Sequence, residues 1–314
     1  MNTAANAAQP VGTPRENLFT RHPLVLYFII AYGGSWLLAL PYVRFAPGVG
    51  LLPFRWPVPF QVSAAIIPFA GPFLAALIVT GITEGKAGTR RLLRRIILSR
   101  VGLHWYLFAL VGIPVITVLG AVLLPGVLAS FRAPAFSWVS TYSVSFVVAF
   151  VIGGPLGEEP GWRGFALPRL QQLYGPLAGT LILGPLHVSW HLPYFFIPEW
   201  GTPRDTILEV SCYVLSGIAL TFVYTWLFNR TEGSVLLAIL AHTSVDAFNP
   251  SEFFLAPIVR GASNLPFLIA FGPVAVLLVV FTRGRLGYQD YLREARPVRH
   301  RKGLMHENTG IPGR

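Results

Sequence analysis

The stretch GEEPGWRGFALPRL, residues 157–170, places two adjacent glutamates and two arginines among long apolar segments. Of the 314 residues in the chain, 54% are hydrophobic and only 12% are charged. The charged fraction of an average soluble domain is about twice as high, so we predict a polytopic membrane protein. Ionised carboxylates are costly in a low-dielectric medium unless they have partners or a function. Glu158 and Glu159 therefore mark a candidate site.

Eight segments of the sequence are candidates for membrane-spanning helices, each of which needs roughly 20 mainly apolar residues. We therefore predict an all-α fold, a polytopic transmembrane helical bundle of about eight spans. The first apolar run continues past Tyr42 without a small-residue cleavage site, so we expect a retained helix and no cleaved signal peptide. The predicted spans are residues 24–43, 58–82, 105–129, 137–157, 176–198, 207–228, 233–249 and 264–282.

The distribution of basic residues predicts the orientation of these spans. With the N-terminus inside, the inner connections hold 19 of the 24 Lys and Arg residues and the outer loops hold 5. This bias predicts that both termini are cytoplasmic, in the plasma membrane if the organism is a prokaryote. It also accounts for the net charge of +11, so we expect membrane lipids as partners and no nucleic acid.

The chain divides into three predicted regions. We expect residues 1–17 to be disordered, residues 18–282 to form the transmembrane core, and residues 283–314 to be a basic cytoplasmic tail. The stretch RRLLRRIILSR, residues 90–100, fits either an amphipathic helix on the membrane surface or a stop-transfer charge cluster. The single cysteine, Cys212, excludes an intramolecular disulfide and a Cys-rich zinc site.

Few ionisable residues lie inside or beside the apolar spans, and such residues usually mark a functional site. Three pairs of them are four residues apart, which places each pair on one helix face. We expect Glu159 and Arg163 to form an ion pair, while Glu158 projects about 100° away around the helix and stays available for chemistry. The full set is Glu158, Glu159, Arg163, His187, His191, Glu209, His242 and Asp246.

This set of residues allows two kinds of chemistry. Glutamate and histidine together can activate water by general acid–base catalysis, and the same side chains can bind a divalent metal. The metalloprotease pattern H-E-x-x-H is absent because Val188 follows His187. The serine-hydrolase pattern G-x-S-x-G is absent too. We therefore favour general acid–base catalysis on water over metal binding, which stays open from the residues alone, and expect no cofactor.

Three motifs occur in order on three apolar segments: EEPGWRGFALPRLQ, then WHLP, then HTSVD. Together they resemble the CPBP family of type II CAAX prenyl endopeptidases and bacteriocin-processing enzymes, which are intramembrane glutamate-dependent proteases. The resemblance covers residues 137–250. It implies a metal-independent endopeptidase that cleaves peptides or membrane-anchored polypeptides, prenylated ones included.

The resemblance also implies a role for each matched position. Glu158 corresponds to the glutamate that activates water, and His191 to the histidine that works with it. Arg163 would orient and neutralise Glu159. His242 would help to form the oxyanion site together with the residue four positions later.

Two positions depart from the family pattern. His187 stands where an aromatic residue is common, and Asp246 stands where asparagine is common. An ionised aspartate has no N–H to donate and would repel an oxyanion. Four explanations stay open: Asp246 is protonated, it orients His242, Asn249 supplies the donor, or activity is lost. The alternatives to a glutamate protease are a metal-dependent membrane hydrolase and a non-enzymatic transporter, immunity or scaffolding protein.

Overall fold

The structure is a computed structural model that describes residues 21–46, 49–50, 52, 56–130, 137–202, 204–248 and 264–295. The predicted disordered segment 1–17 lies outside the described residues. Within them the predicted helical fold is confirmed, and strands occur only in the antiparallel ladder of β1 and β2. The α-helices and strands, in chain order, are α1 (Pro23–Ala39), β1 (Arg44–Ala46), β2 (Val49–Gly50), α2 (Phe60–Pro68), α3 (Leu74–Ile96), α4 (Leu103–Leu107), α5 (Ile113–Val122), α6 (Ser137–Val151), α7 (Pro155–Gly161), α8 (Leu167–Ser189), α9 (Ile207–Arg230), α10 (Val235–Ala247), α11 (Leu265–Phe281) and α12 (Tyr288–Ala295).

Several of the helices are long and apolar enough to cross a membrane. Among the described residues four segments meet this criterion, or five if the bent pair Trp138–Val151 and Pro155–Phe196 is one span. Two apolar helices, α10 and α11, are shorter. Each of the eight predicted segments overlaps a helix, but the number of spans and the cytoplasmic position of both termini stay predictions. The four segments are Pro23–Tyr42, Phe60–Ile96, Leu103–Val122 and Ile207–Arg230.

Three wide π-helical turns join consecutive helices. They are Phe69–Phe73 between α2 and α3, Phe108–Gly112 between α4 and α5, and Trp162–Ala166 between α7 and α8. Such turns are rare and often occur at functional sites. The third one follows Glu158 and Glu159 directly, so the acidic motif lies where the helix geometry changes.

Two clusters of buried apolar side chains hold the helices together. In the first, Tyr27 of α1 stacks on Phe165 with ring centroids 4.7 Å apart and meets Trp162 edge-on at 5.8 Å. The second joins α4, α5, α9, α10 and α11. Large apolar side chains on the outer faces, such as Ile29 and Phe281, are exposed, as expected for a surface that contacts lipid.

The folded structure continues beyond the predicted core boundary at residue 282. Helix α12 packs against α9, and Tyr291 in this helix is buried. Arg230 at the end of α9 donates a hydrogen bond to Asp290 at 2.7 Å. The first part of the predicted tail is therefore packed against the bundle.

Glycine allows α1 to approach the first π-turn closely. A Cβ atom at Gly34 would lie 2.4 Å from the carbonyl oxygen of Ala70, whereas one at Gly33 would have no neighbour within 4 Å. We expect Gly34→Ala to lower the free energy of unfolding by about 1–3 kcal/mol through overpacking, and Gly33→Ala to leave it nearly unchanged. Thermal unfolding of both variants in detergent tests this expectation. Equal stability of the two variants would contradict the close approach.

Candidate active site

The acidic motif lies on α7, the short helix that follows the bend after α6. The helix axes before and after this bend differ by 52°. Pro155 occupies the first turn of α7, where its missing N–H costs no hydrogen bond. Both glutamates are buried, Glu158 with 4% and Glu159 with 0% of its surface exposed. Burial of two adjacent carboxylates requires that each has its own compensating partners.

Glu159 is held by two basic groups from different elements. Its Oε1 atom accepts a hydrogen bond from Arg163 Nη1 at 2.8 Å and lies 2.7 Å from His242 Nδ1. The expected ion pair between Glu159 and Arg163 is therefore present, and it is fully buried. The guanidinium carbon of Arg163 also lies 4.7 Å from the ring centre of Tyr224. Glu159 thus connects α7 to the π-turn and to α10.

Glu158 has a different partner from its neighbour. Its Oε2 atom lies 2.9 Å from His187 Nε2, and His187 Nδ1 lies 3.4 Å from Arg163 Nη1. Arginine can only donate, so this geometry makes His187 Nδ1 the acceptor and Nε2–H the donor to Glu158. A Cβ atom at Gly154 would lie 2.1 Å from Glu158 Oε1, so a larger residue one turn earlier would displace this carboxylate from its present position.

The histidine beside Glu158 is therefore His187, which was among the ionisable candidates but to which we assigned no catalytic role from the sequence. The spacing H-x-x-x-H put His187 and His191 on one helix face, but it did not tell which ring contacts the carboxylate. His191 packs among the rings of Trp190, Trp200 and Tyr213. Within the described part of the chain, no direct hydrogen bond joins it to Glu158.

The two predicted residues of α10 lie next to each other. His242 contacts Glu159 through Nδ1, and its Nε2 atom lies 3.8 Å from Asp246 Oδ1. This distance is too long for a hydrogen bond but short enough for a charge interaction. The alternative donor Asn249 lies outside the described residues.

A cavity of about 440 Å³ brings most of the predicted site residues together. Glu158, His191, His242 and Asp246 line it, as does His187, whereas Glu159 and Arg163 lie behind its wall. The rest of the wall is rich in aromatic side chains, among them Phe60, Trp190, Tyr194, Trp200 and Tyr213.

Two further observations concern residues considered for other roles. Glu209 does not line the cavity; it forms a capping box with Thr206 at the start of α9. In the described ranges no group of three or more His, Cys, Asp or Glu side chains has the geometry to hold a metal ion. Cys212 is buried in α9.

Comparison with known proteins finds a match over the part of the chain that holds this site. A family model described as Type II CAAX prenyl endopeptidase Rce1-like matches residues 139–248, the segment that holds Glu158, Arg163, His187, His191 and Asp246 with the other predicted site residues. The resemblance to the CPBP family is confirmed.

A curated relative supports the same family. The CAAX prenyl protease 2 of Methanococcus maripaludis is 27% identical over 112 residues, which are 34% of this chain and 41% of that protein. The chain therefore matches less than half of the length of this relative. The descriptions of both matches name CAAX prenyl endopeptidases or proteases.

The buried ion pair leads to a prediction about stability. Removal of one partner from a buried pair leaves an uncompensated charge and costs about 3–5 kcal/mol, so we expect Arg163→Met to destabilise the protein by this amount. Arg230→Met breaks an ion pair whose partners are 47% and 33% exposed, and should cost less than about 1 kcal/mol. Unfolding in detergent measures both. Similar losses of unfolding free energy in the two variants would contradict the burial of the pair between Glu159 and Arg163.

Proposed function

We propose that this protein is an intramembrane endopeptidase in which Glu158 activates water without a metal ion. The observation that carries the proposal is the separation of the two glutamates. Glu159 is neutralised behind the cavity wall by Arg163 and His242, whereas Glu158 lines the cavity and has one histidine partner. A carboxylate in this position can accept a proton from a water molecule in the cavity.

The proposed reaction is hydrolysis of a peptide bond. Glu158 takes a proton from water, and the water oxygen attacks the carbonyl carbon of the substrate. The tetrahedral intermediate then collapses with cleavage of the C–N bond, and the proton passes from Glu158 to the leaving amine. The immediate products are a carboxylic acid and an amine, which together ionise to a carboxylate and an ammonium group.

The two neighbouring histidines, His187 in α8 and His191 just after the end of this helix, have separate proposed roles. His187 donates to Glu158 Oε2 and so holds the base in one orientation. His191 lines the same cavity, and we propose that it contacts the attacking water or the leaving group, as the family resemblance implies.

His242 is the proposed donor to the oxyanion. One carboxylate lies beside each of its ring nitrogens, Glu159 at Nδ1 and Asp246 at Nε2. Two negative charges favour the doubly protonated ring, whose Nε2–H would then stabilise negative charge on the substrate oxygen. In this proposal Asp246 acts through His242 and does not itself contact the oxyanion.

The proposed substrate is a peptide or membrane-anchored polypeptide with an apolar group near the scissile bond. Aromatic side chains on the cavity wall, such as Trp200 and Phe60, suit an apolar group such as a prenyl chain. The name of the archaeal relative, a prenyl protease, supports prenylated substrates as the first ones to test. We propose a multi-pass position in the plasma membrane if the organism is a prokaryote.

We expect Glu158→Gln to lower kcat by at least about 100-fold, because glutamine keeps the size of the side chain but cannot accept the proton. Purified protein in liposomes is tested with a quenched-fluorescence peptide library, with and without a prenylated cysteine. Ser189→Ala is the matched control: this serine lies two residues before His191 and hydrogen-bonds Tyr32, and we assign it no part in the chemistry.

Each assay is repeated with EDTA, which distinguishes the proposal from a metal-dependent hydrolase. Activity that survives EDTA and Ser189→Ala but not Glu158→Gln supports the proposal. Near wild-type cleavage by Glu158→Gln would disprove the role of Glu158. Loss of activity with EDTA, restored by added metal, would favour the metal-dependent alternative.

A second variant tests the orientation of Glu158 by His187. We expect His187→Phe to lower kcat by about 10- to 100-fold with little change in KM, because small misplacements of a catalytic group have effects of this size. His187→Gln retains an N–H donor and should recover part of the loss. If His187→Phe is fully active while His191→Phe is inactive, His191 alone supports the base.

A further inference from the structure

We propose that a second cavity, separate from the active site, binds a phosphate group. The cavity has a volume of about 350 Å³ and lies between α3, the start of α8 and α12. It shares no described lining residue with the active-site cavity. The residues that carry the proposal are Glu84, Arg91, Arg95, Arg169, Tyr288 and Tyr291.

The charge of this cavity favours an anion. Three arginines line it, whereas Glu84 is the one acidic residue among its described lining residues. Glu84 accepts hydrogen bonds from both Arg91 and Arg169, so one carboxylate faces three guanidinium groups. Two positive charges remain in excess, enough to neutralise a phosphodiester, which carries one negative charge, or a free phosphate or phosphate monoester, which carries up to about two.

The donors in this cavity are held in place before any ligand binds. The guanidinium of Arg169 lies 3.7 Å from the ring centre of Phe165 and donates to its carbonyl oxygen at 2.9 Å. Arg95 Nη2 donates to Tyr291 Oη at 2.6 Å, which uses one of five guanidinium donors. Tyr291 is itself buried and stacks on Tyr288. Fixed donors of this kind bind a phosphate with little loss of side-chain freedom.

Helix α3, which lines this cavity, indicates the source of the phosphate group. Helix α3 breaks at Gly85, which has φ of 62° and ψ of −161°. The part that follows carries exposed Leu93 and Ile97 beside its arginines. A helix with this pattern lies at a membrane surface, where phospholipid headgroups supply phosphate. A soluble phosphate compound shares the same chemistry, and the experiment separates the two sources.

The test measures binding and does not depend on peptidase activity. The full-length protein is placed in phosphatidylcholine nanodiscs with increasing phosphatidylglycerol, and retained lipid is counted by native mass spectrometry. In a second arm, inorganic phosphate is titrated against the protein in neutral detergent. We expect Arg95→Gln to weaken binding of the phosphate group about tenfold, because it removes charge-assisted hydrogen bonds.

Two further variants complete the design. Arg91→Gln removes an exposed charge of the same cavity and should weaken binding even if Arg95→Gln folds poorly. Arg94→Gln is the matched control on the same helix, because Arg94 lines a different surface with Gly81 and Ile97. We expect it to change binding less than about twofold.

Each outcome decides the proposal. Selective loss of phosphatidylglycerol binding in the Arg91 and Arg95 variants supports a lipid headgroup, and selective loss of inorganic phosphate binding supports a soluble phosphate compound. Equal loss in Arg94→Gln would mean general attraction to the basic helix and would overturn a defined site. Absence of binding in both arms would overturn it as well.

Discussion

The buried interaction between Glu159 and Arg163 determines how the rest of the site is arranged. Neither side chain is exposed, and an isolated charge in such a place would be very costly. The pair is compensated further by His242 from α10 and by the ring of Tyr224 from α9. Three elements of the bundle therefore have to meet at one point. This requirement fixes the position of α7, and with it the position of Glu158.

The backbone around this pair departs from a regular helix where the polar groups need space. A regular helix separates Glu158 and Glu159 by about 100°, and the π-turn that follows widens the helix at Arg163. The Nη1 atom of Arg163 then lies close both to Oε1 of Glu159 and to Nδ1 of His187. Glycine at position 154 leaves room for the carboxylate of Glu158. The apolar bundle thus holds a compact polar centre beside a π-turn, through which the chain passes from α7 into α8.

Much of this arrangement was predictable from the sequence, because it depends on local spacing. Apolar length located the helices, and spacing by four residues predicted the contact between Glu159 and Arg163. The partner of Glu158 was not predictable in this way. The spacing of four residues put His187 and His191 on one predicted helix face, whereas α8 ends at Ser189. The choice between them depends on where α8 ends and how it is rotated against α7. The tertiary fold also determines long-range pairs, such as Glu84 with Arg169, and the packing of α12. Local sequence patterns do not predict such contacts.

The effect of Asp246, which stands where the family commonly has asparagine, also depends on the tertiary fold. Viewed in the sequence alone, an aspartate in place of asparagine removes a donor from the expected oxyanion site. In the structure it lies beside His242, and the opposite nitrogen of that ring contacts Glu159. A histidine between two carboxylates is a stronger donor than one beside a neutral amide. In the proposed mechanism the lost amide donor is offset by a positively charged imidazolium at His242, which donates through Nε2–H. The histidine at position 187 then orients the proposed base Glu158, and the carboxylate at position 246 keeps the proposed donor His242 protonated.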